Sequence, residues 1–118
     1  DHTLGEIRAE MEQAGTWDET VVIVTSDHWW RASLWKQHYV WTDEDTPFTD
    51  DSDHRIPFVL KLANQSRPFD YHNEFNTVLT RELILALLRG DVTTPEDVAE
   101  WLDRHRTVGE THYVFETN

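Results

Sequence analysis

The sequence predicts a mixed α/β fold, a sheet with covering helices, organised as one partial domain over residues 1–118. Three observations carry this. Residues 21–25 (Val-Val-Ile-Val-Thr) and 56–62 (Ile-Pro-Phe-Val-Leu-Lys-Leu) are short apolar runs rich in β-branched residues. Neither alternates strictly, which suits strands covered on both faces, as in a parallel sheet. Around them lie three segments with apolar residues at helical spacing, and strands interleaved with helices point to α/β architecture.

Residues 3–14 come first. Leu4, Ile7, Met11 and Ala14 recur at helical intervals, and Gly15 suits the stop. The 21–25 strand follows after a short turn. Residues 29–55 read as irregular, with Trp29, Trp30, Trp35 and Trp41 followed by an acidic run from Asp43 to Asp53. Like charges so close repel, so this run is expected to be an exposed loop. In the 56–62 strand, Pro57 fits the first residues or an edge, because it lacks the ladder donor. Residues 64–75 read as loop. Residues 77–89 form a helix with Leu79, Leu83, Ala86 and Leu87 on one face, widened by Ile84 and Leu88, and are expected to be well buried. A third helix spans 95–105, with Thr94 as N-cap, Pro95 at the first position and Asp97 at the third. Val98, Trp101 and Leu102 form its apolar face. Tyr113, Val114 and Phe115 are expected to form a last short strand or a frayed end.

Composition excludes several functions. The 118 residues hold 10 Lys and Arg against 23 Asp and Glu, a formal charge of −13. Residues 1–54 carry 3 basic and 13 acidic side chains, residues 55–118 carry 7 and 10. Such a chain does not suit nucleic acid, whose phosphates attract cations, nor an anionic membrane surface. With no Cys there is no disulfide, thiolate metal site or Cys nucleophile in it. No apolar run approaches 18 residues, so no transmembrane span is expected. The first residues, Asp1-His2-Thr3, have neither the positive stretch nor the apolar region of a signal peptide; they also lack an initiating Met, so the chain is expected to be a piece of a longer protein.

The segment richest in chemistry is Thr25-Ser26-Asp27-His28, at the end of the first strand. In open α/β sheets ligands bind at the carboxyl ends of strands. A carboxylate and an imidazole are both common metal ligands. Adjacent strand residues face opposite ways, so Asp27 and His28 reach one ion only if the chain is already turning. The plainer reading is that Asp27 caps a turn and His28 lies on the surface.

In order, the chain has a helix with Leu4-Gly5-Glu6-Ile7, then Gly15-Thr16-Trp17-Asp18-Glu19-Thr20, then the strand and Thr25-Ser26-Asp27-His28. Arg55-Ile56-Pro57-Phe58-Val59-Leu60-Lys61 follows, then the helix from Asn76-Thr77-Val78 to Leu87-Leu88. Over residues 1–90 this resembles the C-terminal portion of the catalytic domain in the sulfatase-like branch of the alkaline phosphatase superfamily. The resemblance implies an alkaline-phosphatase-like fold and metal-dependent hydrolysis of a sulfate ester, on a small-molecule, saccharide or lipid substrate. Asp27 and His28 match the family's late metal-binding pair. Calcium is usual in sulfatases, and zinc or manganese in the phosphodiesterase and phosphoglycerol-transferase branches, whose phosphate esters are the alternative substrates. Imidazole leans mildly away from calcium. Lys36 lies where sulfatases place an anion-binding Lys, although its distance from Arg55 is longer than usual; the plainer reading is a solvated surface Lys. The family's nucleophile and early acidic ligands fall in an N-terminal portion upstream of residue 1, so this chain alone is expected to lack esterase activity and to expose apolar surface at Trp29, Trp30 and Trp35. Trp29 stands where the family usually has Gly.

Other candidates are weaker. His38 and His54 are further candidate ligands or acids, and Arg55 a candidate anion binder or ion-pair partner of the acidic loop. His72, His105 and His112 read as structural or exposed. The acidic run lacks the central Gly and final Glu of a calcium loop. Asn64-Gln65-Ser66 fits a glycosylation sequon, a pattern frequent by chance. The rival from another class is a non-catalytic, acidic interaction module that binds through its Trp cluster.

Overall fold

A computed structural model of the chain describes residues 2–35, 40–49, 52 and 54–106, without the side chains of Ser33 and Trp35. The described residues form four α-helices and one two-stranded sheet: α1 (His2–Gln13), β1 (Val22–Thr25), α2 (Ala32–Trp35), β2 (Phe58–Lys61), α3 (Thr80–Arg89) and α4 (Pro95–His105). Mixed α and β content is therefore correct at the level of class. The chain divides into two compact units, Asp1–Thr20 with Leu62–Asn118, and Val21–Lys61. The expected terminal strand at Tyr113 to Phe115 lies outside the described residues. No helix among the described residues is long and apolar enough to cross a membrane.

In the first unit, α1 ends where the periodicity stops. Gly15 takes a φ of 70°, its N–H bonds the Glu12 carbonyl, and Thr16 N–H bonds the Met11 carbonyl. This pair of bonds satisfies carbonyls that the helix end would orphan. None of the α1 residues is buried; Leu4 and Ile7 are exposed and Met11 half-buried. The buried side chains come instead from Leu62, Leu79, Leu83, Ala86, Val92, Val98, Trp101 and Leu102. A 3-10 turn, Thr77–Leu79, leads into α3, with the Asn76 side chain accepting from Val78 N–H. Only part of the expected apolar face of α3 is covered. Leu83 and Ala86 are buried, while Ile84 is 39% and Leu88 79% exposed. A stripe that wraps more than half the helix exceeds what one contact face can cover.

Helix α4 starts as its sequence demands. The Thr94 hydroxyl accepts from Asp97 N–H, and the Asp97 carboxylate accepts from Thr94 N–H, a reciprocal capping box. Val98, Trp101 and Leu102 are its buried face. The loop before α3 is tied to it: Tyr71 Oη and Asn73 Nδ2 both donate to Asp103 Oδ1, at 2.8 and 2.9 Å.

In the second unit, β1 and β2 lie in one sheet and pair antiparallel, with Val22 opposite Lys61, Ile23 opposite Leu60, Val24 opposite Val59 and Thr25 opposite Phe58. The parallel arrangement suggested by the unalternating runs is thus corrected for this pair. Alternation predicts burial on one face only. Here Val22 to Val24 are all half-buried and Val59 is 58% exposed, so both faces carry apolar side chains and neither is sealed. Pro57 stands just before β2, where it removes no ladder donor.

Candidate functional site

Strand β1 ends at Thr25, and the chain turns at once. Ser26 Oγ donates to the His28 carbonyl at 2.7 Å and accepts, at 3.4 Å, from His28 N–H. A hydroxyl that bonds backbone two residues on replaces the ladder with a turn. Ser26 therefore closes the turn that Asp27 would cap under the plainer reading. Among the described residues the Asp27 carboxylate makes no backbone hydrogen bond, and its Oδ1 lies 3.8 Å from His28 Nε2. Two consecutive residues, which a strand would send to opposite faces, here converge.

The imidazole is held in one tautomer. His28 Nδ1 lies 2.7 Å from the Trp29 carbonyl oxygen. A carbonyl only accepts, so Nδ1 carries a hydrogen, and in the neutral ring Nε2 is then the nitrogen with the lone pair. In that neutral form Nε2 and the Asp27 oxygen are both electron-pair donors, which one cation can bridge. Metal-ligating histidines commonly anchor the other ring nitrogen on a carbonyl in this way. Ligand distances of about 2.0–2.6 Å let two donors 3.8 Å apart share one ion. Both side chains reach solvent, 91% exposed for Asp27 and 45% for His28. Among the described residues no third His, Asp or Glu joins them in a metal-binding group.

Trp29 organises what surrounds the pair. The His54 ring packs against its indole at a centroid distance of 4.4 Å, and the Arg31 guanidinium lies over it, 4.7 Å from the centroid. His54, Arg31 and His28 are thus drawn to one residue, through ring contacts and through its carbonyl. Sequence reasoning passed over Arg31. The only signal for it was a cation two positions from a Trp, a spacing too common to single out. Trp30 is 54% exposed, as expected, whereas Trp29 is half-buried.

Lys36, His38 and the side chain of Trp35 lie outside the described residues. So do Asp50, Asp51 and Asp53 of the acidic run. In its described part, the Asp45 carboxylate accepts from Thr42 N–H and Oγ at 2.9 and 2.8 Å. The backbone bond, with the hydroxyl second, holds this carboxyl below the usual carboxylate range. Asp45 thus serves its own turn. Arg55 and His72 are exposed, and His105 stacks on Trp101 at 4.2 Å, with Nδ1 2.7 Å from the Trp101 carbonyl. Asn64, of the sequon, is exposed at a φ of 55°, its N–H bonded to the Asp18 carbonyl. His112 lies outside the described residues.

Comparison with protein-family models, with curated proteins and with solved structures finds no match to this chain.

Proposed function

We propose that the chain is the C-terminal portion of a sulfatase-like catalytic domain of the alkaline phosphatase superfamily, and that it supplies Asp27 and His28 to a divalent-metal site for cleavage of a sulfate ester. The observation that carries this reading is the turn at Ser26, which sets the Asp27 carboxylate and His28 Nε2 3.8 Å apart on one side of the chain. The order of motifs from Leu4 to Leu88 supports it independently. A divalent ion, when bound there, polarises the non-bridging oxygens of an ester. Asp27 contributes negative charge that offsets the cation. His28 contributes a directional nitrogen whose orientation the Trp29 carbonyl fixes. The other ligands and the nucleophile belong, on this reading, to the portion N-terminal to residue 1. The nearest alternative is phosphoester chemistry of the same superfamily, as a phosphodiesterase or a phosphoglycerol-type transferase, and the imidazole ligand favours it through the zinc or manganese common there. A modifiable Cys upstream marks the sulfatase, a Thr or Ser the phosphoester enzyme.

The test is metal content and turnover of an aryl sulfate and an aryl phosphodiester by the full-length protein and its Asp27→Ala and His28→Ala variants. Both variants are expected to lose metal by more than the roughly 10–100-fold that removal of an outer partner costs. With calcium, Asp27→Ala is the more damaging; with zinc the two converge or reverse. Wild-type metal content and turnover in both variants would overturn the reading in favour of a structural turn.

A further inference from the structure

Arg31 differs from exposed arginines such as Arg67 and Arg104. Its Nε–H is closed to solvent and has no acceptor among the described residues. No Asp or Glu among the described residues comes within ion-pair distance of it, although the chain holds 23 acids. Its guanidinium is laid on the Trp29 ring, and Trp29 is fixed in turn by His54 on its ring. A buried, unused donor in a native fold calls for an explanation.

The chemistry of guanidinium supplies one. It is weakly hydrated, so it stacks on an aromatic face at little cost and keeps its in-plane donors. The two Nη groups, which are not closed off as Nε is, form a planar fork that fits two oxygens of a tetrahedral oxyanion. An ion-paired arginine has its fork occupied by carboxylate; Arg31 has no such partner among the described residues. It lies three residues beyond His28, whose Nδ1 bonds the carbonyl of the same Trp29. We propose that Arg31, presented on Trp29, binds the sulfuryl or phosphoryl oxygens of the ester beside Asp27 and His28, the task the family resemblance assigns to Lys36. The Trp in the place of the family's usual Gly then has a use, as the platform for that cation. The identity of the oxyanion rests on the function proposed above; its binding by Arg31 does not require the metal.

The experiment is equilibrium dialysis of the full-length protein, stripped of metal by a chelator, against inorganic sulfate and inorganic phosphate. Arg31→Gln, Arg31→Lys and Lys36→Gln are compared with wild type, with circular dichroism as the check on folding. Wild type is expected to bind at least one anion at millimolar concentration. Arg31→Gln is expected to weaken that binding about tenfold to a hundredfold, the range for loss of a charged hydrogen bond. Arg31→Lys, which keeps the charge and the fold without the fork, is expected to fall between. Wild-type affinity in folded Arg31→Gln, loss of binding in Lys36→Gln alone, or no anion binding by wild type would each overturn the proposal. Metal uptake by the same proteins is measured separately. Anion binding through Arg31 in a protein that takes up no metal removes the metal reading and leaves this inference standing.

Discussion

Asp97 shows how much one side chain does at a helix start. Its carboxylate accepts from the N–H groups of Thr93 and Thr94 and from the Thr93 hydroxyl. The Thr93 backbone bond, followed by those of Thr94, holds its carboxyl below the ordinary value of 3.8. A carboxyl with a lowered value in the fold adds stability that is complete above the ordinary value and disappears as pH falls through the lowered one. Asp97→Asn is therefore expected to lower the urea midpoint at pH 7, while the gap between variant and wild type closes as pH falls below about 4. A gap that stays constant from pH 7 to pH 3 would rule out the charged cap. Asp103 is lowered for a similar reason, chiefly by the Tyr71 hydroxyl and then by Asn73. Tyr71 is raised in return, first by burial and then by Asp103.

Among the elements, α3 carries the first unit. Leu83 is fully buried, the largest side chain there to be so. Leu83→Ala is expected to destabilise by about 2–5 kcal/mol, by lost transfer and a cavity. Leu88→Ala, at a position 79% exposed, is expected to change stability by less than about 1 kcal/mol, which urea unfolding of the two variants distinguishes. Helix α4 was legible to the residue because Thr94, Pro95 and Asp97 act within one turn, and local signals do not depend on the rest of the fold. Strand positions were legible too, but not their direction. A four-residue apolar run reads alike in parallel and antiparallel sheets, and only the pairing of Val22 with Lys61 decides. Of the candidate site, Asp27 and His28 could be read because they are adjacent and end a strand. Arg31 on Trp29 and Trp29 against His54 could not, because stacking depends on the path of the loop from Trp29 to His54.

At the scale of the whole molecule, charge is the dominant feature. A net charge of −13 makes the folded chain repel itself, and added salt screens that repulsion. Thermal midpoints are expected to rise between 0.02 M and 0.5 M NaCl, and a midpoint that falls or stays level would show that repulsion does not limit stability. The bond from Asn64 N–H to the Asp18 carbonyl, 2.6 Å long, has a different consequence at this scale. It means that the chain leaves the first unit and returns to it at one spot, with Val21–Lys61 inserted between. Removal of that insertion, with residues 20 and 62 rejoined by a short Gly-Ser linker, is expected to leave a smaller protein that unfolds in a single cooperative step and keeps helical circular dichroism. Loss of cooperativity in that deletant would show instead that the outer segments depend on the insert to assemble.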